Sequence, residues 1–191
     1  MPATVTLVRH GETAWSAAGR HTGRTDIPLT EEGERKAARI AERLAGQTFD
    51  RVFTSPLQRA ARTCALAGFG DWAVVDPDLV EWDYGDYEGR TSHEILAQRP
   101  GWLIFRDGSP HGEAAADVGA RVDRVIARLR AVEDRAILFS SAHVLRVLTA
   151  RWLGLAPTEG RLFKLDTASI SVLAYEHDSH DEPVVALWND I

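Results

Sequence analysis

Cysteine is nearly missing: Cys64 is the only one in 191 residues. That excludes an internal disulfide and a cysteine-built zinc cluster, and fits a reducing, cytoplasmic setting. No apolar run approaches the ~20 residues that a membrane-crossing helix needs. Met1-Pro2-Ala3-Thr4 carries no basic region ahead of its short apolar run, so no secretory leader is expected. An excess of positive charge is lacking too. With 22 Lys and Arg against 28 Asp and Glu, a net charge of −6, general nucleic-acid binding is not expected, because phosphate backbones need a basic face. A local cationic pocket remains compatible with that balance. There is no internal repeat, linker or low-complexity tract, and residues 1–191 read as a single domain.

What is present is ordinary for a globular chain: 45% hydrophobic and 26% charged residues, with six tryptophans that argue against disorder. Thr4–Val8 is a short strand running into Arg9-His10-Gly11-Glu12. Thr30 suits an N-cap, and Ala37, Ile40, Ala41 and Leu44 follow helical spacing up to Gly46. Arg51–Thr54 reads as a strand, and Ser55-Pro56 as N-cap and first-turn proline of a helix to about Ala67. Ala73–Val75 is a third strand; Glu81–Gly89 is irregular; Thr91 opens a short helix. Val118, Val122, Val125, Leu129 and Val132 form the apolar stripe of a long helix. Ala136–Ser140 is a buried strand, and His143–Leu153 a helix stopped by Gly154. Ile170–Tyr175 and Val184–Trp188 close the chain as a hairpin, with His177-Asp178-Ser179-His180-Asp181 as its polar turn.

Alternating strands and helices predict a three-layer α/β fold, a mostly parallel sheet covered on both faces. In such sheets ligands bind beyond the carboxyl ends of the strands, where Arg9-His10, Ser55–Arg59 and Ser140–His143 all fall. An arginine offers a planar fork that matches a phosphate, and a neutral imidazole can attack phosphorus. Taken alone, Arg9-His10 is equally a solvated loop pair, Arg59 a surface arginine on a helix, and Glu81 a loop acid paired with an arginine.

Leu7-Val8-Arg9-His10-Gly11-Glu12-Thr13-Ala14-Trp15 resembles the signature of the histidine phosphatase (phosphoglycerate-mutase-like) superfamily. The resemblance continues through Thr22-Gly23, Asp26, Pro28-Leu29-Thr30, Thr54–Ala60 with Thr63, Glu81–Gly89 and Gly112-Glu113, in order along most of the chain. It implies His10 as the nucleophile that forms a phosphohistidine, with Arg9 and Arg59 clamping the phosphoryl oxygens. It implies Glu81 as proton donor to the leaving oxygen, favouring mildly acidic conditions. Ser16, Thr22, Gly23, His21, Tyr84, Ala142 and His143 are the expected substrate contacts. No cofactor or metal is expected: His10, His21 and His143 lack ligand-type spacing.

The pattern breaks once. Registered on Arg146 and Trp152-Leu153-Gly154, Ser141 stands where the family carries its second catalytic histidine, Ala142 where it carries glycine, and His143 at a neighbouring histidine position. A neutral hydroxyl cannot replace a charge-assisted donor, so weakened turnover is expected, with His143 a partly buried residue near the rim. A phospho-ligand-binding pseudoenzyme is the alternative. Phosphoglycerate mutase is the lesser one, because Ser92 stands near the place of the mutases' lysine. The expected partner is a small phosphorylated substrate, such as a sugar phosphate; a homodimer is left open, and no nucleic-acid or membrane partner is expected. Glu81–Gly89 and Trp102–Gly108 resemble the small acid phosphatases and the sedoheptulose bisphosphatases, with Arg106 either meeting a second phosphate or lying on the surface.

Overall fold

The computed structural model describes residues 3–132, 134–177 and 179–191. Met1, Pro2 and Asp178, which figured in the leader and turn readings above, lie outside them. In chain order the elements are β1 (Thr4–Arg9), α1 (Ala14–Ala17), α2 (Glu31–Arg43), β2 (Arg51–Thr54), α3 (Gln58–Leu66) and β3 (Val74–Val75). They continue with α4 (Ser92–Gln98), α5 (Ile104–Asp107), α6 (Ala115–Arg130), β4 (Arg135–Ser140), α7 (Ala142–Trp152), β5 (Ile170–Tyr175) and β6 (Pro183–Asp190). The sheet order is β3-β2-β4-β1-β5-β6. The first four run parallel and the last two antiparallel.

Alternation along the central strands builds the three layers. Val5 and Leu7 of β1, with Ala136 and Leu138 of β4, pack under α6 and α7 against Val118, Val122, Val125, Leu129, Leu145, Leu148 and Trp152. Val8, Ile137 and Phe139 point the other way, onto Ile40, Leu44, Cys64 and Ala67 of the α2–α3 side. Strands buried on both faces need apolar residues at nearly every position, as in Ala136-Ile137-Leu138-Phe139 of β4; β1 admits one buried threonine, Thr6.

The local stop and start signals hold in α2, whose N-cap Thr30 accepts from the Gly33 amide, and in α4, capped by Thr91 and Glu94. Several boundaries differ from expectation by one or two residues, two of them at helix ends near the site and the core. The third helix begins at Gln58 rather than at Ser55-Pro56, which form a turn. Its first amide is taken by Asp26 Oδ1 at 2.8 Å, while Gln58 Nε2 donates to the Asp26 carbonyl at 2.7 Å. A distant residue caps this helix, so no local signal could mark its start. The long helix ends at Arg130, leaving Val132 beyond it.

Parallel register brings Arg9 opposite Ser140, and Thr54 opposite Phe139. The His10 amide donates to the Ser140 carbonyl, and the Ser55 amide to that of Phe139. Three strand ends thus deliver their following loops to one place.

Candidate active site

The loop after β1 carries His10, which is buried. Its Nδ1 lies 2.7 Å from the Gly11 carbonyl oxygen. A carbonyl only accepts, so Nδ1 holds the proton and Nε2 is left as a free lone pair. Burial, then the charges of Arg9 and Arg59, push the His10 pKa well below the ordinary histidine value. The ring is therefore neutral and basic at Nε2, which is the state that can attack phosphorus.

Arg59 is fully buried on α3. Its Nη1 donates to the Thr25 carbonyl at 3.0 Å, and its Nη2 to those of Thr22 and Gly23 at 3.1 and 2.7 Å. Arg9 reaches the Leu165 carbonyl through Nη1. Both guanidinium pKa values are lowered by burial, so both cations are desolvated without a paired carboxylate among the described residues. The buried side-chain atoms without any hydrogen-bond partner include Arg9 Nε, Arg59 Nε and Ser141 Oγ. Buried donors are normally satisfied, so an unpartnered Arg9 Nε on the same cavity as His10, with the Arg59 charge close enough to act on that ring, suits an anion.

Thr63 locks the loop after β1 to α3: its Oγ1 accepts from the Gly11 amide at 3.0 Å and donates to the Arg59 carbonyl at 2.7 Å. Gly11 itself is glycine for a reason other than ligand approach. A Cβ there would lie 2.5 Å from the Gly33 carbonyl oxygen at the start of α2. The close neighbour is backbone, not substrate.

Glu81 is buried at the N-terminus of α7. Oε1 accepts from the amides of Trp82 and Val144 at 2.8 and 2.9 Å, and Oε2 from that of His143 at 3.0 Å. A carboxyl group at a helix start is well placed by both the amides and the dipole. A cavity of about 180 Å³ is lined by Arg9, His10, Ser16, Gly19, Arg20, His21, Thr22, Glu81, Tyr84, Ala142 and His143. Arg59, expected from the sequence to clamp the phosphoryl oxygens, is not on this lining, because it is fully buried with both Nη atoms on backbone carbonyls.

The family model for the histidine phosphatase superfamily (branch 1) matches residues 5–191. The chain belongs to that superfamily. It is 40% identical over 185 residues to an acid phosphatase of Mycobacterium tuberculosis, covering 95% of this chain and 91% of the relative. It is 33% identical to the sedoheptulose 1,7-bisphosphatase of Saccharomyces cerevisiae, covering 95% and 90%. Among solved structures, a mycobacterial glucosyl-3-phosphoglycerate phosphatase in complex with VO3 superposes with a TM-score of 0.86 at 28% identity, over 98% of this chain and 99% of that one.

For a histidine phosphatase the remaining sequence-predicted residues fall as follows. Ser16, Thr22, His21, Tyr84, Ala142 and His143 all line the cavity. Ser16 Oγ is held by the α1 cap, accepting from the Thr13 amide and donating to the Thr13 carbonyl. Gly23 is not on the lining. A Cβ there would meet the Trp82 carbonyl oxygen at 2.5 Å, so it is a packing glycine whose carbonyl backs Arg59. Ser141 lies behind the wall as the N-cap of α7, its hydroxyl unused. Ser92, near the place of the mutases' lysine, meets His21 Nε2 at 3.2 Å through its hydroxyl. Gly19 and Arg20, not foreseen from the sequence, also line the site. Arg20 Nη1 donates to the Gly89 carbonyl, and only the fold of the 81–89 segment brings that carbonyl within reach.

Among the described residues, the three-ligand cluster with metal-binding geometry is Glu176, His177 and Glu182 on the exposed β5–β6 turn, and none of them lines the cavity. No helix of the described residues is long and apolar enough to cross a membrane.

Proposed function

We propose that the protein is a phosphomonoesterase that takes the phosphoryl group of a small ester onto Nε2 of His10 and releases it to water. The observation that carries this reading is the neutral His10, with Nδ1 committed to the Gly11 carbonyl, set beside two desolvated guanidinium groups whose Nε atoms have no partner. Arg9 and Arg59 would hold the equatorial oxygens as charge develops, since preorganised donors in a dry site stabilise a phosphoryl transition state strongly. Glu81 faces the same cavity and would protonate the departing alkoxide; water entering by the vacated position would then cleave the P–N bond. The phosphatase names of the two relatives described above support hydrolysis; other relatives, 31–36% identical, are named probable phosphoglycerate mutases, so transfer stays the lesser reading rather than an excluded one.

Ser141 supports a second reading, that of a phosphate-ester-binding protein with little turnover. Its buried hydroxyl makes no hydrogen bond and carries no charge. The two readings separate on p-nitrophenyl phosphate hydrolysis, measured with chelator for this chain beside a Ser141→His, Ala142→Gly version. A positioned electrostatic donor is worth ~10²–10³ in rate, so a gain of at least ~10-fold is expected. Phosphate binding with no turnover in either version would overturn the phosphatase reading.

A further inference from the structure

The inner cavity, at about 180 Å³, adjoins a second one of about 910 Å³, and the two share His21 and His143 as lining residues. The outer bowl is of the size that holds a whole organic ligand, ~300–1,000 Å³. Its floor and sides are Trp102, Ile104 and Phe105, and its rim carries Leu96 and Leu103, 39% and 54% exposed. Apolar side chains left open to water beside a reacting group are uncommon unless something covers them.

Two of the bowl's three arginines have counterions, and the third is held by backbone carbonyls and a ring. Arg106 donates to both oxygens of Asp107 at 2.9 and 2.8 Å and to the Gly101 carbonyl, and Arg161 pairs with Glu159 at 3.1 Å. Arg146 donates from Nε and Nη2 to the Gly160 and Arg161 carbonyls, with its guanidinium 4.6 Å from the centre of the Phe105 ring. Arg106 thus has its own counterion at an exposed position, which fits the surface-arginine alternative of the sequence reading.

Resting on the phosphomonoesterase reading, we infer that the alcohol half of the substrate is apolar or aromatic and lies in this bowl, between His21 and His143 on one side and Leu96, Trp102, Leu103 and Phe105 on the other. The phosphoryl group fills the inner cavity, and the ester oxygen lies alongside the two histidines that both cavities share. Small polar sugar phosphates would leave the bowl's apolar rim wet and gain nothing from it.

The test is a calorimetric series on the unaltered chain: inorganic phosphate, n-alkyl phosphates from methyl to hexyl, phenyl phosphate and fructose 1,6-bisphosphate. Full burial of a methylene is worth ~4-fold in affinity, so a half-open bowl should give at least ~2-fold per carbon. Phenyl phosphate should bind at least ~10-fold more tightly than methyl phosphate, at roughly two-fold for each of the added carbons it can bury. Leu103→Asp should flatten the series; its melting temperature reports whether the fold is kept. A flat series, or a bisphosphate binding more tightly than hexyl phosphate, overturns the inference while phosphate binding leaves the His10 reading standing. Loss of inorganic phosphate binding itself sinks both.

Discussion

The Tyr84 hydroxyl lies 2.6 Å from Nδ1 of His143. Burial, then Glu81 and Glu88, hold the Tyr84 pKa well above its usual value, while burial, then Arg146, His21 and Arg9, hold His143 well below its own. Both groups are therefore neutral, the phenol donates, and Nδ1 accepts. His143 keeps its proton on Nε2 and presents a donor on the cavity wall, next to the place where Ser141 offers only a short hydroxyl. Tyr84 acts as a positioning residue for that ring. Tyr84→Phe should lower kcat/KM by about 3–10-fold, the worth of one net hydrogen bond, with little change in melting temperature. Unchanged kinetics would show that His143 is held by packing alone.

Gly23→Ala tests the support of Arg59. The new methyl meets a backbone carbonyl, that of Trp82 at 2.5 Å, which cannot swing aside as a side chain could. The 22–25 loop must shift, and with it the carbonyls that hold Arg59. We expect a loss of about 1–3 kcal/mol in stability, as for other overpacked sites, together with weaker inorganic phosphate binding. Retained phosphate affinity would mean that Arg59 is fixed without the loop.

Three histidines should make the protein acid-sensitive. His10 and His143 have native pKa values well below 6.5, and burial takes His21 down to about 4. Between about 4 and 6.5 the unfolded chain binds protons that the native chain excludes, so stability rises with pH across that window and is lost as pH falls through it. Melting temperatures should drop from pH 6.5 to 4.5. In the same window Nε2 of His10 stays unprotonated, so the acid limb of the rate profile should lie below the ordinary histidine range. A limb centred on 6.5 would show that His10 is not desolvated in solution.

Cys64 should be inert. It is buried on α3, and burial pushes its thiol up to about 12, so almost no thiolate exists near neutrality. Iodoacetamide should leave the native chain unmodified over hours and alkylate it on unfolding. Rapid native alkylation would indicate an opening of the α2–α3 layer.

How far the residues announced this site follows from the range of the forces involved. Thr30 before Glu31-Glu32, Thr91 before Glu94, and Gly154 after α7 are signals whose physical partners lie within one helical turn, so the elements they bound could be read directly. That Arg9, His10 and Glu81 would share one cavity was legible because the signature compresses neighbouring segments into short linear blocks. Arg20, the Asp26 cap of α3 and the packing role of Gly23 were not, because their partners lie tens of residues away: Gly89, Gln58 and Trp82.

The sequence by itself determined the superfamily and the order of the layers, since hydrophobic periodicity and a dense motif survive without coordinates; that His10 is the nucleophile is what the motif implies and what the experiments above test. It also determined that Ser141 departs from the pattern. The tertiary structure decided which nitrogen of His10 is free, because that depends on a carbonyl 2.7 Å away. It decided that both arginines keep an unpartnered Nε, and that Arg106 is spent on Asp107. Desolvation and hydrogen-bond geometry are properties of a packed neighbourhood, and the linear chain carries no record of them until distant segments meet.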